Sequence, residues 1–317
     1  MRYLIQLYPL EPFFFGGDTT FGTLGSIKNG SYLAKSRYFP QQSAFLGMLK
    51  KEIMTQAGLL THKLKGEWVD KARKEEAKKL VGDEKFSFEA GKIQNFGVIE
   101  AIGPLFLMQG EKRFVKKVDI DNCVFNEGLL EGYNPKKDIF NSYVSVDANE
   151  RKQTQDIFFP VEQTGNKTGA QDNSLFKKTA FHLKDDFCFA VNVELGTALK
   201  NSIVKLGADG SKFLMQVKET DGHLNYKDPR GYMVLLSDSY ITLPIKEHCD
   251  FAITGEINFR SLENSFENKK RVFQKTKQYY LYEKGSVFIN PSQELLENLN
   301  NKNLQKVGFN HYTQGEK

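Results

Sequence analysis

Apolar runs and apolar–polar alternation along the chain mark strands at Tyr3–Leu10, Ile93–Glu100, Pro104–Met108, Phe187–Glu194, Phe213–Val217, Met233–Leu236, Phe251–Phe259 and Tyr279–Ile289. These segments mix β-branched and aromatic residues, and Gly or Asp marks many of their ends. Helical periodicity is rarer. Over Ser43–Ala57 the apolar residues Phe45, Leu46, Leu49 and Ile53 share one face, with Ser43 as the expected N-cap. Over His62–Val81, Leu64, Trp68, Ala72 and Leu80 line an inner face. Glu67–Lys71, Asp70–Lys74 and Glu75–Lys79 stand there at the i,i+4 spacing of helical ion pairs. The charges of that stretch nearly cancel, so it reads as a solvated helix face rather than a nucleic-acid stripe. Gln293–Leu299 is expected as a short helix before a last strand.

Two stretches read as insertions. Gly110–Asp156 is polar, with Gly128, Gly132 and Pro135 as breakers, and Val161–Lys178 contains the loop signature Thr164–Ser174. They place a boundary near residues 150–180. The expected organisation is 1–160, with an insertion at about 110–150, followed by 161–317, in an α+β chain.

At 317 residues the chain is long enough for two domains, and its 40% hydrophobic and 26% charged content is that of a globular protein. The 26 Phe and 13 Tyr, against one Trp, supply both core and stacking surface. No apolar run reaches the length of a membrane helix, and Arg2 with no small-residue cleavage site does not resemble a signal peptide. Cys123, Cys188 and Cys249 form no C-x-x-C pair, which argues against structural zinc and a disulfide framework and fits a reducing cytoplasm. A net charge of +5 is compatible with a nucleic-acid partner without requiring one.

Three features point to RNA. Gly16-Gly17 and Gly207–Gly210 let backbone approach phosphate closely, although a plain hairpin turn is the simpler explanation of the second. The helix start offers free N–H groups to an anion at Ser43, Ala44 and Phe45, with Gln41 and Gln42 beside them. Lys50 and Lys51 ride the same helix. Lys269, Lys270 and Arg271, with Lys275, Lys277, Tyr279 and Tyr280, interleave cations and rings as single-strand binding requires. Lys28, Arg37, Lys167, Lys177, Lys178 and Lys212 are further single candidates. Catalysis finds little support. His62, His182, His223, His248 and His311 stand in unrelated contexts without an H-E-x-x-H, nucleophile elbow or P-loop, and Asp185-Asp186 reads as turn chemistry.

These segments together resemble a known family. The strand into Phe15-Gly16-Gly17-Asp18, then Phe39-Pro40 and the helix with Leu46-Gly47, resembles the start of RAMP-superfamily CRISPR proteins. Within them it is most similar to the type III-B (Cmr) subunit that caps the 5′ end of the guide RNA. Glu162–Gly165 through Ser174–Phe176, Leu206–Gly210 with Lys212 in place of the family's basic residue, and Tyr282–Phe288 agree in order. The resemblance implies two ferredoxin-like (RRM-like) domains with antiparallel sheets plus an inserted loop or β-hairpin, no catalytic activity and no cofactor. It implies a grip on the 5′ tag of the CRISPR RNA between the large signalling subunit and a backbone RAMP subunit, with target RNA an indirect partner. An inserted thumb would wedge where tag meets guide; residues 110–150 are the first candidate and Thr164–Ser174 the second. The alternative within the superfamily is a metal-independent RNA-processing endonuclease. It would use a histidine near the first helix as general base, and Ser43–Ala57 contains none.

Overall fold

The computed structural model describes all residues except 17–18, 22–31, 65–66, 69, 127, 135, 137, 167–174, 185, 208, 261, 268–269, 276 and 314–317, and the backbone alone at 19–21, 32–34, 61–64, 67–68, 165–166, 175–176, 262–267 and 270–275. The chain forms two compact units that interleave in sequence: Met1–Phe114 with Lys152–Leu224, and Val115–Arg151 with Asn225–Lys317. This division differs from a cut near residue 160. Strands far beyond that point pair with the first strand, and residues 115–151 fold with the C-terminal segment instead of standing as an insertion.

In the first unit the elements are β1 (Arg2–Pro9), β2 (Thr19–Phe21), β3 (Tyr32–Lys35), α1 (Gln42–Gln56), α2 (Lys71–Val81), β4 (Ile99–Ile102), β5 (Phe106–Gln109), β6 (Lys112–Lys116), β7 (Phe158–Asn166), β8 (Leu175–Leu183), β9 (Phe187–Leu195), β10 (Ser202–Leu206) and β11 (Ser211–Glu219). β1 is central: β9 flanks it on one side, with Ile5 opposite Val191, and β11 on the other, with Ile5 opposite Val217. Within this unit the order is β6-β5-β9-β1-β11-β10, with β4 also on β9, and these pairings are antiparallel. A second sheet runs β7-β8-β3-β2, with β8 and β3 parallel. The α+β class with mostly antiparallel sheets is as expected.

Period-two alternation selects the core. Tyr3, Ile5 and Leu7 of β1 are buried beside Phe189, Val191, Phe213 and Met215. α1 covers this layer with Phe45, Leu46, Met48, Leu49 and Ile53. Burying each such side chain is worth about 1.5–3 kcal/mol. Phe13, Phe14 and Phe15, expected as core more than as stacking platforms, are all buried. Phe13 stacks on Phe15 at 4.6 Å, and Phe15 on Phe213 at 5.8 Å.

Local expectations fail where tertiary contacts compete. The N-cap of α1 is Gln41, without a side-chain cap bond, and not Ser43. The helix expected over 62–81 begins only at Lys71, because Asp70 caps it by accepting from Ala72 N; before it lie a 3-10 turn and a short hairpin. Its ion pairs among described side chains are i,i+3, Arg73–Glu76 and Glu75–Lys78. Of the stretch expected as a strand at 93–100, only Ile99 and Glu100 enter one. Residues 161–166 and 175–178, in the stretch read as an insertion with a loop signature, belong to the nine-residue pairing of β7 with β8.

In the second unit, Phe251–Ile253, Val287–Ile289, Met233–Leu235 and Tyr312–Thr313 form one sheet in that order. It buries Met233, Leu235 and Phe288 against Leu295 and Leu299 of the helix Gln293–Leu299, which Ser292 caps by accepting from Leu295 N. The single strands expected over 251–259 and 279–289 each break in two, since Glu256–Phe259 pairs with Tyr279–Tyr282 in a separate ladder. Residues 115–151 bring in Val118, Ile120 and Tyr143, all fully buried, and a hairpin Val124–Asn126/Leu129–Glu131. A charge network holds this unit. The Lys117 ammonium pairs with the Asp228 carboxylate at 2% and 0% side-chain exposure, and the Tyr226 hydroxyl donates to Asp228 at 3.4 Å. Asp121 accepts from Lys117 and Arg151, whose charges hold its carboxyl below the usual range against the opposing effect of burial.

Candidate nucleic-acid interface

The aromatic run after β1 is anchored amide by amide. Phe13 exchanges backbone hydrogen bonds with Phe181 of β8, Phe14 N donates to Ser211 Oγ at 3.3 Å, and Phe15 N donates to Ser36 Oγ at 2.9 Å. Three different segments therefore fix three successive residues, and the chain leaves them at Gly16 with φ +72°. The Gly16 carbonyl accepts from Arg37 N at 3.2 Å, and Ser36 Oγ donates to the Arg37 carbonyl at 2.8 Å.

The turn between β10 and β11 closes on the same place. Gly207 has φ +98°, and a Cβ there would lie 2.4 Å from the Phe14 carbonyl oxygen. Gly210 N donates to the Gly207 carbonyl at 3.1 Å, and its φ is +66°. Glu11 Oε1 accepts from Lys212 N at 2.9 Å, while Leu10 N donates to the Lys212 carbonyl. From β8, the Lys178 ammonium pairs with Asp209 and lies 4.8 Å from the Phe14 ring centre; burial lowers its pKa. Gly16, Arg37, Gly207, Gly210 and Lys212 are thus neighbours in space, and Lys178 joins them. The turn is a hairpin turn, as the simpler reading had it, and the close backbone approach that it makes is to the Phe14 carbonyl.

Other candidates are placed elsewhere. Gln42 is buried, its Nε2 donating to the Gly103 carbonyl at 3.2 Å, so the gap beside α1 takes its amide inward. Ala44 and Phe45 N–H both donate to the Gln41 carbonyl, which leaves Gln41 and Ser43, both half-buried, as the open part of the helix start. Lys50 points inward too: Nζ donates to the Glu84 carbonyl at 3.1 Å and lies 4.6 Å from the Phe96 ring centre, and burial brings its pKa down to about 8. Lys270 and Arg271 lie in the hairpin Leu262–Glu267/Lys270–Lys275, where Arg271 is opposite Phe266. Gly17, Lys28, Lys167 and Lys269 lie outside the described residues.

Ser36 and Ser211 are the residues that sequence reading missed. Each is a small polar residue in a strand or loop pattern, without a local signal that its hydroxyl serves a distant amide. Two of the five histidines have structural partners: His248 Nδ1 is 3.2 Å from the helix-capping Ser292 Oγ, and His311 Nε2 is 3.0 Å from the Gln305 carbonyl, with burial lowering the His311 pKa. Among the described residues no group of three or more His, Cys, Asp or Glu is arranged to hold a metal, and no helix is long and apolar enough to cross a membrane.

Residues 5–116 match the model of the family described as CRISPR-associated protein (Cas_Cmr3). No curated protein matches the chain. Among solved structures, a chain of the Type III-B Cmr-beta bound to cognate target RNA is similar, with a TM-score of 0.54 at 13% identity over 98% of this chain and 96% of that one. A chain of the same assembly bound to target RNA and AMPPnP gives 0.52 at 12% identity, over 98% and 95%. At such identities the structural likeness concerns the fold. The family match through the first 116 residues, with a fold shared along almost the whole chain, bears out the resemblance to the RAMP subunits of type III-B (Cmr) CRISPR complexes.

Proposed function

We propose that this protein is a non-catalytic RNA-binding scaffold subunit of a type III-B CRISPR ribonucleoprotein in antiviral defence, acting in the cytoplasm. In this reading it grips the 5′ tag of the CRISPR RNA and bridges the large signalling subunit to the backbone RAMP subunits. Its two units are variants of the ferredoxin-like fold, and a projecting hairpin serves as the thumb. The observation that carries the reading is the convergence of Gly16, Arg37, Lys178, Gly207, Gly210 and Lys212 at one end of the first unit. Backbone without side-chain bulk, flanked by cations, suits a phosphate with its base splayed away.

The test is incubation of the protein with labelled repeat RNA, with and without replacement of all five histidines. Binding that weakens with salt and in Lys269→Ala/Arg271→Ala and Lys178→Ala, without cleavage, supports the scaffold. Histidine-dependent cleavage would replace it by the endonuclease reading. Absence of both binding and co-assembly would overturn the assignment to a CRISPR complex.

A further inference from the structure

The face of the main sheet opposite the core carries a pattern of which the site above uses only Lys212. On β11, Lys212, Leu214, Gln216 and Lys218 alternate with the buried Phe213 and Met215. On β10, Ile203 and Lys205 point the same way, Ile203 at 63% exposure. The register sets Lys205 directly opposite Lys212, and Leu214 opposite both Ile203 and Tyr8 of β1. Lys218 is opposite Leu4. A row of two cations, an apolar row containing a phenol ring, a row pairing Gln216 with the buried Gln6, and a third cation therefore succeed one another along β11 over about 20 Å.

Like charges directly across a ladder are destabilising, so the Lys205–Lys212 pair is not there for the sheet's sake. All three lysines are exposed, and no ion pair joins any of them to a described residue. The nearby carboxylates have other contacts: Glu194 binds Arg2 at 2.7 Å, and Glu11 accepts from Lys212 N. Asp186 and Glu111 act on the Tyr8 side. The stem of Lys205 also lies 3.8 Å from where a Cβ on Gly210 would stand, which joins this strip to the glycine turn.

We propose that this face is a second RNA contact, in which a single strand leaving the Gly207–Gly210 turn runs along β11 with phosphates on Lys205, Lys212 and Lys218 and a base or ribose on Tyr8, Leu214 and Ile203. The inference rests on the RNA-binding reading and extends its footprint beyond the glycine turn. Single-stranded RNA fits better than an acidic peptide because the cations are spaced along a strand with an aromatic ring between them.

The test uses the full chain and a fluorescein-labelled single-stranded RNA of about 12 nucleotides, with affinity measured by anisotropy across a salt series. In Lys205→Gln/Lys218→Gln, which leaves Lys212 of the glycine turn in place, the slope of log affinity against log salt falls by about 1.4, and affinity falls about fivefold or more at moderate salt. The corresponding double Lys→Arg variant retains both, which a merely structural role would not predict. Unchanged slope and affinity in the glutamine variant, with the unsubstituted protein still binding, overturns the strip and leaves the scaffold reading standing. Normal RNA binding with lost co-assembly reassigns the face to an acidic protein surface and also overturns it. No RNA binding by the unsubstituted protein overturns both.

Discussion

Gly207 packs against the carbonyl of Phe14 so closely that a Cβ on it would stand 2.4 Å from the oxygen, and its φ of +98° already disfavours any other residue. The turn is thereby tied to the strand exit that presents Gly16. Gly207→Ala is expected to destabilise the protein by about 2 kcal/mol or more, through strain and displaced backbone. Gly47 is the contrast: it lies in α1, exposed, with nothing within 4 Å of an added Cβ. Gly47→Ala should stabilise by about 0.5–1 kcal/mol. Urea unfolding of the two variants checks both signs, and equal effects would remove the argument.

Lys50 carries a pH signature. Burial beside Phe96 brings its pKa from 10.5 to about 8, against the pull of Asp83 and Glu84. Below pH 8 the ammonium is charged in both states, and the folded state bears its desolvation. Between about pH 8 and 10.5 the unfolded state holds more protons, so this group's contribution to stability rises with pH. Lys284, buried and also brought down to about 8, adds the same trend. Lys50→Met should raise the urea midpoint at pH 7 and reduce the pH-dependent increment relative to the unsubstituted protein. An unchanged pH difference would show that Lys50 is solvated.

The buried Lys117–Asp228 pair holds 115–151 to the segment after residue 225. Asp228→Ala leaves the Lys117 charge buried and is expected to cost about 3–5 kcal/mol. Lys117→Met/Asp228→Leu removes both charges and should recover most of that loss. A double-mutant cycle by denaturant unfolding measures the coupling, and additive losses would deny the pair its role.

The strand assignments of β1, β9 and β11, the first helix and the helix Gln293–Leu299 follow from periodicity, which acts over a few residues and so is legible locally. The same alternation made Phe13–Phe15 core, since three consecutive rings cannot share one face. The glycines at 16 and 207–210 were legible as backbone positions of special freedom. Their proximity was not, because it arises from β1 pairing with β11 at long sequence separation.

Tertiary structure alone decided the rest. Gln42 and Lys50 look like surface groups in a helix start and turned inward because Gly103 and Glu84 offered acceptors in gaps that only packing creates. The two units interleave because residues 115–151 bury Val118, Ile120 and Tyr143 and place Lys117 and Asp121 in a charge network with residues after 225. Local sequence thus determined which residues alternate, cap and turn. Only the closing of distant strands and the satisfaction of buried polar groups determined which of them meet, since both depend on partners 34 to 201 positions away that no local pattern names.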